Sequence, residues 1–378
     1  MVNGEWKAVK YAPGFVNSPF TIHHSPFTPF EEFTMSANSL EAVAQAMVAP
    51  GKGILAADES TGTIEKRLAS IKVENSEDNR RAYRDMLFSS KGLNQHISGV
   101  ILYDETLRQK AANGTSFPEF LAKNGILPGI KVDTGAKDLA LCPGETVTEG
   151  LDNLARRCAE YVKLGAKFAK WRAVINIGKD IPSSTCIAAN AHALARYAAI
   201  CQAAGLVPIV EPEVLMDTDH TIERCEEVTE WTLNAVYDAL YLNRVVLEGS
   251  VLKPSMVISG KGCPKQAGVA EVAERTVRVL KRTVPGAVAG VVFLSGGQSD
   301  ELATAHLNAM NKQYAGRLPW PLSFSYGRAL QQPSLKAWKG AAANVAAGQA
   351  ALLHRSRMNG LASAGRYSAD LERQALAA

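Results

Sequence analysis

Charged residues stand at the ends of a series of short apolar runs. Asp58, Glu59 and Ser60 follow GKGILAA, and Lys131 and Asp133 lie in GILPGIKVD. Lys170 and Arg172 lie in GAKFAKWR, Glu211 and Glu213 in LVPIVEPE, and Lys253 in SVLKPSM. Ser295, Gly296 and Gly297 close VAGVVFLSGG, and Gly327 and Arg328 follow LSFSY. Singly, each has a bland reading. A carboxylate after a strand caps the next helix, the role expected of Glu59 and Asp133. A lone lysine extends to solvent, and Ser-Gly-Gly makes a turn. Together they are harder to dismiss, because burying so many ionised groups is costly unless they pair or meet a charged ligand.

The residue types sort by chemistry. Glycines after the last two runs let backbone N–H groups approach and cradle a phosphate, and Arg328 adds a bidentate clamp. Lys131, Lys66 and Arg67 can hold a second anion. Histidines at ligand spacing are missing, so a catalytic metal is not expected. No cofactor is expected either, which leaves a lysine as nucleophile. A free lysine, with a pKa of about 10.4, is inert as an amine near neutrality. Dry surroundings and a neighbouring cation both favour the neutral form, and Lys170 can supply the cation. A neutral amine adds to a ketone and yields a protonated imine, an electron sink that permits carbon–carbon cleavage. That chemistry needs an acid for dehydration and a base for the departing hydroxyl, and Asp58, Glu211 and Glu213 are available.

These residues need a scaffold that brings strand ends to one place. Eight β-type runs alternate with segments of helical period from residue 51 onward. Helices are read at 147–164, with apolar residues at 151, 154, 158 and 162, and at 188–204, 222–242, 269–284 and 299–310. Continuous apolar strands between helices indicate a parallel sheet covered by helices. Eight such units predict an α/β chain with a (β/α)8 (TIM) barrel, whose strand C-termini build the site. A doubly wound open sheet is the alternative, but it would place its glycines after the first strand, and GKGILAAD has them before it.

The chain has 378 residues and a formal net charge of +4, and no Lys/Arg run concentrates it, so no nucleic-acid partner is expected. Six scattered cysteines read as free thiols in a reducing compartment. No apolar stretch suits a membrane span. Residues 1–35 read as an aromatic, proline-rich N-terminal arm with no signal-peptide pattern. Residues 36–365 read as the barrel, with a helical tail at its end, and 366–378 as a flexible C-terminal segment.

The ordered series GKGILAADESTGTIEKR, SGVILYDET, PGIKVD, FAKWR, LVPIVEPE, LEGSVLKPSM, VVFLSGGQS and LSFSYGRALQ resembles the class I fructose-bisphosphate aldolase family. The resemblance implies metal-independent, reversible cleavage of fructose 1,6-bisphosphate to dihydroxyacetone phosphate and glyceraldehyde 3-phosphate. It implies Lys253 as Schiff-base lysine, Glu211 as acid/base, Asp58 as the base for cleavage, and Lys170 as charge-setting residue beside Arg172 and Glu213. Ser295, Gly296, Gly297, Gly327 and Arg328 match the ketone-side phosphate site. Ser60, Thr63, Lys66, Arg67 and Lys131 match the other phosphate side, Thr63 standing where a serine is common. A cytoplasmic homotetramer is implied, with interface residues around Gly150, Leu151 and Asp152. Members commonly end in a tyrosine that reaches the site; this chain ends in Ala378. Either Tyr367 substitutes, or a carboxylate or substrate phosphate carries that proton. Fructose 1-phosphate or sedoheptulose bisphosphate as substrate, and a scaffold for cytoskeletal partners, are the alternatives.

Overall fold

The computed structural model describes residues 30–374. Residues 1–29, most of the expected arm, lie outside the described residues; from Phe30 the backbone is helical to Met47.

Eight parallel strands close a barrel: Gly53–Ala57, Ile97–Leu102, Leu127–Lys131, Phe168–Ile175, Val207–Val214, Val251–Leu252, Gly290–Phe293 and Leu322–Tyr326. The first strand pairs with both the second and the eighth, so no edge is left open. All eight expected runs are therefore strands.

The two-residue side-chain period divides each strand between two cores. Outward residues such as Leu55, Trp171, Val210, Leu252 and Phe324 pack under the helices. Inward residues Ile54, Ile101, Phe168, Val207, Ile209, Val251 and Val292 fill the barrel with Leu40, Ala44, Met47 and Val48 from the first helix and the turn after it. Phe168 is fully buried, and a Cβ on Gly129 would lie 2.2 Å from its ring, so the third strand must carry a glycine there. The inward positions continue past this apolar floor as Asp58, Lys170, Arg172, Glu211, Glu213 and Lys253. The charged mouth is thus the upper layer of the same inward face.

Three expectations change. Residues 147–153 are not helical: Gly135–Asp138 and Thr146–Glu149 form an antiparallel hairpin after the third strand, and the helix runs only from Leu154 to Lys163. Val162, read as part of its apolar face, is exposed, whereas Tyr161 is buried. The β-branched Thr146-Val147-Thr148 favours strand, and its alternation mimics a helical period over so short a span. The described part of the C-terminal segment, residues 366–374, is also held against the body. Ala369–Gln374 forms a helix whose Glu372 bonds the buried Arg355 and also His354, on the long helix Val345–Ser363. Last, Glu59 and Asp133 are not helix caps, for reasons that belong to the site.

No helix among the described residues is long and apolar enough to cross a membrane.

Candidate active site

The C-terminal ends of the strands surround a cavity of about 570 Å³. The residues that the resemblance assigns to catalysis and phosphate binding line it: Asp58, Ser60, Thr63, Lys66, Arg67, Lys131, Lys170, Arg172, Glu211, Glu213, Lys253, Ser295, Gly296, Gly297, Gly327 and Arg328; Asp133 stands behind this lining.

Its floor is a chain of alternating charges. Lys253 Nζ lies 3.1 Å from Glu211 Oε1. Lys170 Nζ lies 3.3 Å from Glu211 Oε2 and 2.6 Å from Asp58 Oδ2. Strand register fixes this order. The fifth strand pairs Ile209 with Val251 and Val210 with Leu252, so the next step brings Glu211 beside Lys253. Lys253 N–H donates to Val210 O at 2.8 Å, which holds that step in place. Lys170 and Lys253 are each under 5% exposed, so these charges are compensated mainly by one another.

Burial alone would raise the Asp58 carboxyl, but Lys170, then Lys253 and Lys131, hold it well below the usual carboxylate range. Burial would lower the Lys170 ammonium, and Asp58 and Glu211 instead hold it well above the usual lysine value. Asp58 is thus fixed as an anion and Lys170 as a cation. Glu211 differs: its Oε2 is buried, yet no hydrogen bond reaches it. At 3.3 Å from Lys170 it gains charge attraction without hydrogen-bond geometry, so it keeps an oxygen open to a proton.

A second tier sets the walls. Arg172 pairs with Glu213 through Nε, and its backbone N–H donates to Asp133 Oδ2 at 3.3 Å. Asp133 also accepts from Lys131 Nζ at 2.5 Å and from Gly135 N–H. A hairpin, not a helix, follows it, so it orients Lys131 instead of capping. Glu59 is equally engaged: Arg67 lies at 2.5 Å, Arg84 at 2.7 Å and Gln331 Nε2 at 2.7 Å. Ser60 takes the N-cap position of the helix Thr61–Ala69. Glu59 therefore anchors Arg67, whose Nη2 would lie 3.7 Å from a Cβ on Gly327.

On the opposite wall Gly296 and Gly297 have φ of 57° and 87°, a conformation that L side chains rarely adopt. Gln298 braces this turn by donating to Ser295 O at 3.0 Å, and His306 Nδ1 contacts Gln298 Oε1 at 2.6 Å. Arg328 forms no ion pair among the described residues, so its guanidinium is open to an anion.

Sequence reasoning missed Ser325. It lines the cavity, and its buried hydroxyl finds no partner. The signal was present: in LSFSY the outward face is Leu322, Phe324 and Tyr326, which leaves Ser323 and Ser325 pointing inward. Tyr367 does not line the cavity. Its N–H donates to Asn308 Oδ1 and its ring packs on the outer core. Burial, reinforced by Glu372, pushes its hydroxyl up to about 12.

The family model described as fructose-bisphosphate aldolase class-I matches residues 39–378. A probable fructose-bisphosphate aldolase class 1 of Xanthomonas campestris is 62% identical over 334 residues, covering 88% of this chain and 99% of that protein. A cytosolic fructose-bisphosphate aldolase of Arabidopsis thaliana is 58% identical, covering 88% of this chain and 92% of its own. Among solved structures, fructose-bisphosphate aldolase from Plasmodium falciparum, in complex with TRAP and a small-molecule inhibitor, superposes with a TM-score of 0.87. It is 50% identical and covers 88% of this chain and 96% of its own.

Proposed function

The chain belongs to the class I fructose-bisphosphate aldolase family, and from that premise we propose how its own residues divide the reaction. The enzyme is a lyase acting on a phosphorylated sugar. The ketone-side phosphate sits on Ser295, Gly296, Gly297, Gly327 and Arg328. The far phosphate meets Lys131, Lys66 and Arg67, with the Ser60 and Thr63 hydroxyls beside them.

Lys253 passes an ammonium proton to Glu211, attacks the C2 carbonyl as the resulting neutral amine and forms a carbinolamine. Glu211 delivers a proton to the C2 hydroxyl, which leaves as water, and a protonated imine remains. Asp58, held ionised by Lys170, takes the proton of the C4 hydroxyl. The C3–C4 bond then breaks, its electron pair flows to the imine nitrogen, and glyceraldehyde 3-phosphate departs. Protonation of the enamine at C3 and addition of water to the imine release dihydroxyacetone phosphate and restore Lys253. Arg172 and Glu213 hold each other and shape the wall.

The observation that carries this reading is Glu211 set between two lysines with its Oε2 unbonded. It supports one carboxylate serving as both acceptor and donor at the nucleophile. The test is Glu211→Gln. Single-turnover imine formation is expected to slow by about 10²–10⁴, and an unchanged rate overturns the role.

The same reading extends to a homotetramer in the cytoplasm. Support comes from the cytosolic Arabidopsis relative and from the exposed Trp231, Tyr241 and Leu242, which subunit contact would cover. Sedimentation velocity checks the assembly: a monomer across the micromolar range contradicts it.

A further inference from the structure

Lys261 belongs to none of the motifs above, yet it reaches the phosphate cradle. A Cβ built on Gly297 would lie 2.9 Å from Arg328 Nη2 and 3.0 Å from Lys261 Nζ. Two cations from different loops therefore flank the same glycine. Lys261 is carried there by a tightly fitted segment. Its N–H donates to Met216 O at 2.7 Å, and a Cβ on the preceding Gly260 would lie 2.2 Å from Thr218 O. No side chain fits at residue 260, so the loop after the sixth strand must lie flat on the loop after the fifth. Gly296 faces the same place, with Met216 Sδ 4.0 Å from its would-be Cβ.

The two cations differ in their partners. Arg328 has no carboxylate among the described residues, whereas Lys261 is paired with Asp217. That pair is about half exposed on both sides, with side-chain exposures of 45% and 58%. Water screens such a pair and leaves it easily exchanged. A phosphate dianion seated on the Gly296–Gly297 backbone offers Lys261 a more highly charged partner, one that Arg328 and the backbone N–H groups hold in place.

We propose that Lys261 is a further binding residue for the ketone-side phosphate, released from Asp217 when the dianion enters. Asp217 then acts as a competing anion that weakens the site while it is empty and detunes it toward doubly charged groups. The proposal rests on the assignment of that phosphate to residues 295–297, 327 and 328.

The test uses the full chain with Lys261→Met, Lys261→Gln and Asp217→Asn. In the condensation direction, both Lys261 variants should raise KM for dihydroxyacetone phosphate by about fivefold. KM for glyceraldehyde 3-phosphate should stay unchanged and kcat should hold within about twofold. Inhibition by inorganic phosphate should weaken by the same factor, and the difference from the parent should shrink as salt rises. Asp217→Asn should shift both constants the opposite way, because it frees the cation. A merely structural pair would move all three variants in one direction. Unchanged phosphate inhibition in both Lys261 variants overturns the proposal. An Arg328→Met control separates the levels. If it too leaves phosphate inhibition unchanged, the assignment of the cradle fails; if it weakens inhibition while the Lys261 variants do not, only the role of Lys261 fails.

Discussion

The ammonium of Lys253 and the carboxylate of Glu211 face each other at 3.1 Å across adjacent strands, both nearly excluded from solvent. The pair is the start of a longer row, since Glu211 also meets Lys170 and Lys170 meets Asp58. Two cations and two anions nearly cancel. The row can therefore stay buried, and a change at one member is felt by the others.

Lys170→Met tests that coupling. With the cation gone, burial pushes Asp58 up, and only Lys253 and Lys131 oppose it. Stability at neutral pH is expected to fall by about 3–5 kcal/mol, because buried Asp58 loses its ion-pair partner and Glu211 keeps only Lys253. In the parent, the folded Asp58 is depressed, so its contribution is full above the unfolded value of about 3.9 and is lost only as pH falls through the lower folded value. In the variant the sign reverses, and lowering pH toward 5 recovers part of the loss. Thermal unfolding at pH 7 and pH 5 reads this; equal deficits at both would show that Lys170 does not hold Asp58 down.

Glu59→Gln should act on stability first. Arg84 is 2% exposed and would be left without its carboxylate, at a cost of about 3 kcal/mol in denaturant unfolding. Arg67 also loses its anchor, so KM for the bisphosphate should rise while imine trapping continues. Parent-like stability would contradict the anchoring role.

Tyr367→Phe should leave turnover nearly intact. The hydroxyl lies by Glu372, away from the cavity lining. A change in kcat of less than about twofold is expected, within the reach of a distant packing change. A loss of tenfold or more with stability preserved would mean that Tyr367 does reach the enamine.

His306 gives a separate pH signature. Burial lowers it to about 4 from an ordinary 6.5. Between those values the unfolded chain binds the extra proton, so stability is full above about 6.5 and declines as pH falls toward 4. The total reaches about 3 kcal/mol for a shift of that size. His306→Asn, which keeps a donor toward Gln298, should flatten this slope; an unchanged slope would assign it to other groups.

Much of this was legible because the barrel repeats one rule. An inward apolar residue followed two positions later by an inward charge places Val251 and Lys253, or Ile209 and Glu211, without further information. The same rule marked Ser325, but a serine carries no charge to draw attention. Glu59 and Asp133 misled because a strand-end carboxylate looks the same whether it caps a helix or anchors an arginine or lysine. Only the packing of Arg84 and Gln331, remote in sequence, decides. The hairpin at 135–149 was missed because four-residue strands are too short to separate the two periods. Lys261 was invisible since it depends on two loops meeting.

The central claim is that Lys253 carries the substrate covalently. The direct measurement is borohydride reduction in the presence of dihydroxyacetone phosphate, followed by peptide mass spectrometry, with and without a chelator. The expected result is a reduced adduct on Lys253 alone, absent in Lys253→Met and unaffected by the chelator. An active enzyme with no adduct at Lys253, or one whose turnover stops with the chelator, would contradict it.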